Sequence, residues 1–165
     1  MMKMIGIAMI AISCTLIGIL YYLNIKARPN ELNFFISLLS EYHNQLKWQQ
    51  KSLEEIVSNF KYNGFENYLI TVNKLIKEEG ICDSFITKND LFTAFHLTTD
   101  DKKILMAFFE QTGFSGLDTE LNLVSKTLSA LESLKEEAMA KFKRLGPFSI
   151  KLSIVCGIWI IILLF

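Results

Sequence analysis

An uncharged run of twenty residues, Met4 to Leu23, lies near the N-terminal end of the sequence. As an α-helix this run would be about 30 Å long, which matches the hydrocarbon core of a bilayer. Tyr21 and Tyr22 stand at its far end, where aromatic rings favour the membrane interface. Residues 4–23 are therefore predicted to form a transmembrane helix. A cleaved signal peptide and a lipoprotein site at Cys14 are the alternatives, and the length of the apolar run beyond Cys14 argues against cleavage there.

A second apolar segment occupies the C-terminal end. Leu152 to Phe165 has no charged residue, and Leu145 to Ile150 extends it backwards past Lys151. The long lysine side chain can reach the headgroups while its stem stays in apolar surroundings. Residues 146–165 are predicted to be a second transmembrane helix, with a buried core helix as the alternative.

Basic residues are concentrated beside both apolar segments, and we call them the membrane-flanking residues. They are Lys26 and Arg28, next to Pro29, and then Lys141, Lys143, Arg144 and Lys151. Between Glu31 and Ala140 there are ten lysines against seventeen acidic residues, a net charge of −7. The positive-inside rule predicts a two-pass protein of the cell membrane with a cytoplasmic loop and both termini outside. With no positive excess, a nucleic-acid partner is not expected.

The loop, residues 30–145, is predicted to be helical throughout. Its apolar residues recur every three or four positions, as on the first stripe of Leu32, Phe35, Ile36, Leu39, Tyr42 and Leu46. Ser52 and Thr98 have capping spacing, and Gly64, Gly80 and Gly113 are predicted helix ends. Pro29 fits a first helical turn or a kink.

The last loop helix has the strongest periodicity, from Leu117 to Leu145, and runs towards the second membrane segment. It must end at the same membrane surface at which the first loop helix begins, so the two should be antiparallel. The predicted fold class is all-α: an antiparallel bundle of about five to six helices between an N-terminal and a C-terminal transmembrane helix.

Motifs of catalysis and cofactor binding are missing from the sequence. It contains no GxxxxGK[ST], GxSxG, HExxH or CxxC, and His43 and His96 are 53 residues apart. We therefore predict no enzyme activity, no catalytic residues, no cofactor and no metal. The alternative is a membrane-bound enzyme or metal-binding protein whose ligands, among them the two histidines, are dispersed along the chain. A holin-like or toxin-like membrane protein is a third hypothesis that rests on size alone.

Small residues suggest where the membrane helices pack. They are Ala11, Thr15 and Gly18 in the first segment, and Ser153 and Gly157 in the second. These faces would serve helix packing within one chain or in a homo-oligomer.

One turn is a candidate docking site for a partner, because exposed turns on rigid scaffolds often carry recognition. It contains Gly113, Ser115, Gly116 and Asp118. A plain helix connection is the simpler interpretation.

The whole chain resembles the stage III sporulation protein AB family of endospore-forming bacteria. The resemblance rests on the N-terminal segment followed by Ala27-Arg28-Pro29, on Phe109 to Gly113, on Thr127-Leu128 and Leu131-Glu132, and on Lys141 to Gly146. The chain departs from the family pattern at His43 and Gln45, in the turn after Gly113, and at Ile150.

The resemblance implies a function that the residues alone do not. Members resemble the cytoplasmic domain of the platform protein of type II secretion systems. The expected function is a non-enzymatic membrane platform in the sporulation channel between mother cell and forespore, with the loop in the mother-cell cytoplasm. Its expected partners are the membrane, a secretion-type ATPase (stage III sporulation protein AA) and other channel proteins.

Overall fold

A computed structural model describes residues 2–49, 51–79, 92, 95–113 and 116–164. The described residues form five helices and no strand, which confirms the all-α prediction. The helices are α1 (Met2–Gln49), α2 (Leu53–Asn59), α3 (Glu66–Glu79), α4 (Thr99–Gln111) and α5 (Leu117–Leu164). Within these residues, no helix combines the length and the apolar content needed to cross a bilayer.

Both prolines of the chain lie inside long helices. Pro29 is within α1 and Pro147 is within α5. The first-turn interpretation of Pro29 is therefore wrong, because the helix begins 27 residues earlier, at Met2. A proline removes one backbone hydrogen bond, and a helix of 48 residues keeps the remaining ones on either side.

The predicted helix starts are confirmed at two serine or threonine caps. The Ser52 hydroxyl accepts a hydrogen bond from the Glu55 N–H at 3.3 Å. At α4, Thr98 and Asp101 form a reciprocal capping box, in which each side chain accepts from the other residue's N–H. Asp101 is buried, and this hydrogen bonding offsets the loss of hydration of its carboxylate. It also pairs the Thr98 N–H, a backbone donor that would otherwise be left without a partner at the helix start.

The predicted helix end at Gly113 is confirmed, whereas the one at Gly64 is wrong. Helix α2 ends at Asn59 rather than at Gly64, which lies in the following turn with φ +88°. Helix α4 ends at Gln111, two residues before Gly113, whose φ is +89°. Both glycines supply left-handed backbone after the helix rather than at its last residue.

The chain divides into two compact units. Unit 1 consists of Met1–Pro29 and Glu136–Phe165, and unit 2 consists of Asn30–Lys135. In unit 2, Tyr42 meets Glu120 and Asn33 meets Lys135. The residue numbers of the partners on α5 decrease as those on α1 increase, so the two helices are antiparallel there.

The core of unit 2 is centred on Phe34, which is fully buried. Its ring lies 4.6 Å from Phe65, 5.4 Å from Tyr62 and 5.0 Å from Phe35, measured between centroids. The predicted apolar stripe of α1 omitted Phe34 and the equally buried Leu38. That stripe was too narrow, because aromatic side chains from α3 and the neighbouring turns cover a second side of α1.

Unit 1 is a pair of antiparallel helical segments packed through small and aromatic residues. A Cβ atom added to Gly18 would lie 2.2 Å from Ser153 Oγ, and one added to Gly157 would lie 3.6 Å from Cys14 Cβ. The rings of Tyr22 and Phe142 pack against each other in a tilted arrangement, with 5.3 Å between their centroids. The two backbones can approach this closely only because glycine lacks a side chain.

Several predictions concern residues outside the described set. They are the helical prediction over residues 81–91, 93 and 94, and the helix end at Gly80. The position of Ser115 and the side chain of Ala11 also lie outside it.

Candidate functional site

The predicted docking turn is tied to the start of α5 through Glu120. The Gly113 N–H donates to Glu120 Oε1 at 3.1 Å, and the Glu120 N–H donates to the Gly116 carbonyl at 3.0 Å. Gly116 and Asp118 are exposed, and Asp118 lies in the first turn of α5, where a negative charge suits the helix dipole. Glu120 therefore fixes both described sides of this turn.

The same carboxylate connects the turn to α1. Glu120 is buried and accepts a hydrogen bond from the Tyr42 hydroxyl. Burial, and then the neighbouring carboxylate, raise the pKa of Tyr42 well above its ordinary value, so the phenol stays protonated as the donor. A buried carboxylate with a hydroxyl and a backbone donor is satisfied in a way that an isolated one would not be.

A second buried carboxylate, Glu31, holds the segment that leads into α4. Glu31 Oε2 accepts from the His96 backbone N–H at 2.6 Å, and Oε1 lies 2.9 Å from His96 Nδ1. Burial raises the pKa of Glu31, while the hydrogen bonds and charge of His96 act in the opposite direction. This contact anchors the approach to the Thr98 cap directly to α1.

A polar chain next to these contacts joins three elements of unit 2. Lys135 Nζ donates to Asn33 Oδ1 at 2.6 Å, and Asn33 Nδ2 donates to the Tyr62 hydroxyl at 2.7 Å. Together with Glu31 and Glu120, these hydrogen bonds fix the relative positions of α1, α5 and the segments that connect them. The arrangement stiffens a scaffold and contains no paired nucleophile and base.

Metal ligation finds no support among the described residues. No group of three or more His, Cys, Asp or Glu side chains there could hold a metal ion. His96 is engaged with Glu31, and His43 is half-buried on α1.

The predicted membrane-flanking residues belong to unit 1. Lys26, Lys141, Lys143, Arg144 and Lys151 are exposed, Arg28 is half-buried, and Pro29 is buried. Of the predicted packing residues, Gly18 meets Ser153 and Gly157 meets Cys14, while Thr15 is exposed. Cys14 was not among the predicted packing residues, because a cysteine is not a usual member of small-residue motifs.

Sequence reasoning also missed the burial of two glutamates. Glu31 and Glu120 enter the sequence prediction only through the net charge of residues 31–140, and nothing adjacent in sequence marks them as buried. Their partners His96 and Tyr42 are 65 and 78 residues away. Only a contact map of the folded chain reveals such pairs.

Comparison with known proteins gives one family. The family model described as stage III sporulation protein AB matches residues 3–165, nearly the whole chain. Neither the curated proteins nor the solved structures yield a match.

Proposed function

This chain belongs to the stage III sporulation protein AB family, and its role is in sporulation; we propose that it is a non-enzymatic membrane platform of the sporulation channel that docks a secretion-type ATPase. The proposed partner is stage III sporulation protein AA, together with other channel proteins. The proposed location is the cell membrane, with two crossings, the loop in the mother-cell cytoplasm and both termini outside.

The observation that carries the membrane proposal is the distribution of exposed apolar side chains. Among the described residues, the exposed large apolar side chains lie in unit 1 with three exceptions, Trp48, Ile70 and Leu117. Exposing apolar surface to water costs roughly 25 cal/mol for each Å². A helical pair that is apolar on its outside is therefore suited to lipid or to burial against other membrane proteins.

The proposal of a docking function rests on what unit 2 offers. Buried polar contacts join its helices, and residues 31–140, which include nearly all of unit 2, carry a net charge of −7. A rigid acidic scaffold steers a partner with a basic surface. The turn from Gly113 to Asp118, positioned by Glu120, is the proposed contact with the ATPase.

The test is co-purification from sporulating cells. A tagged full-length chain should sediment with membranes and bring the ATPase with it after mild detergent extraction. Cysteine labelling from outside the cell should reach engineered sites near the two termini and leave sites in unit 2 unlabelled. Labelling of unit 2 from outside would contradict the proposed orientation and with it the contact to a cytoplasmic ATPase.

A further inference from the structure

An apolar groove of about 490 Å³ runs along one side of the helical pair in unit 1. Its lining residues come from both helical segments and include Gly18, Phe148, Ser149, Leu152 and Ser153. The volume is in the range of small-molecule sites, roughly 300–1,000 Å³. The groove is separate from the polar contacts of unit 2.

The two serine hydroxyls that line the groove are already used as donors. The Ser149 hydroxyl donates to the Gly146 carbonyl at 2.8 Å, and the Ser153 hydroxyl donates to the Ile150 carbonyl at 3.2 Å. Both donors are used within α5 itself. Apart from the Tyr21 phenol, the remaining lining is apolar or made of cysteine side chains, so it suits an apolar part of a ligand.

The length of the groove points to a lipid chain. Along α5 it extends from Leu145 to Cys156, which corresponds to about 16 Å of helix. Half of a 30 Å hydrocarbon core is about 15 Å, the depth that the acyl chains of one leaflet fill. The groove is thus about one leaflet deep.

Two basic residues of α5 lie beyond one end of the groove. Lys141 precedes Leu145 by four residues, and Arg144 precedes Phe148 by four, so each extends a lining row of α5 by one helical turn. Both side chains are exposed, and none of the ion pairs within 4 Å among the described residues involves them. The acids Glu136 and Glu137 lie about a turn further from the groove.

We propose that this groove holds one acyl chain of an anionic phospholipid of the cytoplasmic leaflet, with its phosphate at Lys141 and Arg144. Basic residues next to a membrane segment attract anionic lipid of that leaflet. The proposal rests on the membrane placement in the proposed function and adds a ligand of defined chemistry. It does not depend on the ATPase.

The first test is native mass spectrometry of the full-length chain in detergent micelles with added phosphatidylglycerol or phosphatidylcholine. Phosphatidylglycerol should bind in preference, and the double variant K141Q/R144Q should weaken its binding by about 25-fold, since each lost charge contributes about fivefold. The matched control K143Q/K151Q removes two charges from the same helix outside the lining rows and should change binding much less. Equal losses in the two double variants would overturn the site, and so would equal binding of the two lipids.

The second test uses the unaltered protein and a phosphatidylglycerol with a photoreactive acyl chain. Crosslinks should concentrate on Ile17, Phe148 and Leu152, which line the groove, over Leu20 and Ile154, which are exposed outside it. Even labelling of both sets would overturn the proposal. Dimers that exclude the lipid would also overturn it, because a second copy would then fill the groove.

The lipid site and the platform function can fail separately. A chain that sediments with membranes and binds the ATPase but shows no lipid preference would refute the lipid site alone. A chain that binds phosphatidylglycerol selectively but not the ATPase would refute docking alone.

Discussion

Replacement of Phe34 by alanine should remove a large part of the stability of unit 2. The ring is fully buried, and besides its three nearest aromatic neighbours it has Phe60 at 6.1 Å and Phe95 at 6.5 Å between centroids. A Phe→Ala change in a well-packed core costs about 3–5 kcal/mol, including the cavity left behind. The contacts between the Phe34 ring and its neighbouring rings add to this cost, so the loss expected for Phe34→Ala lies towards the upper part of that range.

The cost can be converted to a melting temperature. For a unit of about 100 residues, each kcal/mol shifts the midpoint by roughly 4 °C or more. The expected decrease for Phe34→Ala is therefore at least about 12 °C. Near-ultraviolet circular dichroism of the full-length chain in one detergent follows it, because that signal reports the packing of aromatic rings.

The matched control is Phe60→Ala, which makes the same chemical change at a half-buried position of the same cluster. It should cost roughly half as much, because less apolar area leaves water there on folding. If Phe34→Ala melted within a few degrees of the native chain, or if the two variants lost the same stability, Phe34 would not be the centre of the core.

Other parts of the account can be tested by single replacements. Burial raises the folded-state pKa of Glu31, so its ionisation opposes folding. The stability that protonated Glu31 contributes to the folded state should be fully present below the pKa of the unfolded chain, near 4.5. It should be lost as the pH rises through the pKa of the folded state. In Glu31→Gln, the urea midpoint of unfolding should no longer show this pH dependence. If that midpoint varied with pH in parallel with the midpoint of the native chain, the result would count against the burial of the Glu31 charge. Tyr42→Phe should cost roughly 1–3 kcal/mol in urea unfolding, because Glu120 loses a donor while it stays buried; a loss below about 0.5 kcal/mol would show that the contact is unimportant. Gly157→Cys, with the remaining native cysteines replaced by serine, should form a disulfide with Cys14 on mild oxidation. The two Cβ atoms would lie 3.6 Å apart, within the usual range, and peptide mapping detects the bond. Its absence would contradict the packing of unit 1.

Local features of the fold could be predicted well from the sequence. The caps at Ser52 and Thr98 depend on residues three positions apart, and the start of α5 at Leu117 follows from a sustained apolar period. Family membership was also predicted from the order and spacing of short segments over the whole chain, and it is confirmed.

Features that depend on distant residues were not predictable in the same way. A single helical stripe cannot show that Phe34 is covered from a second side, because that depends on where α3 packs. Charge counting cannot show that Glu31 and Glu120 are buried, because His96 and Tyr42, which contact them, are more than 60 residues away. Pro29 has ordinary helical φ, so its place inside α1 rather than at a helix start depends on the residues before it.

The most direct test of the platform function is the affinity between the full-length chain in lipid nanodiscs and purified stage III sporulation protein AA. Binding in the micromolar range or tighter is expected, weakened by added salt because the proposed contact joins an acidic surface to a basic one. Replacing the exposed Asp118 by asparagine should weaken it further, and the same change at the exposed Asp100 serves as the control. No binding to a chain whose aromatic circular dichroism shows a folded unit 2 would contradict the account.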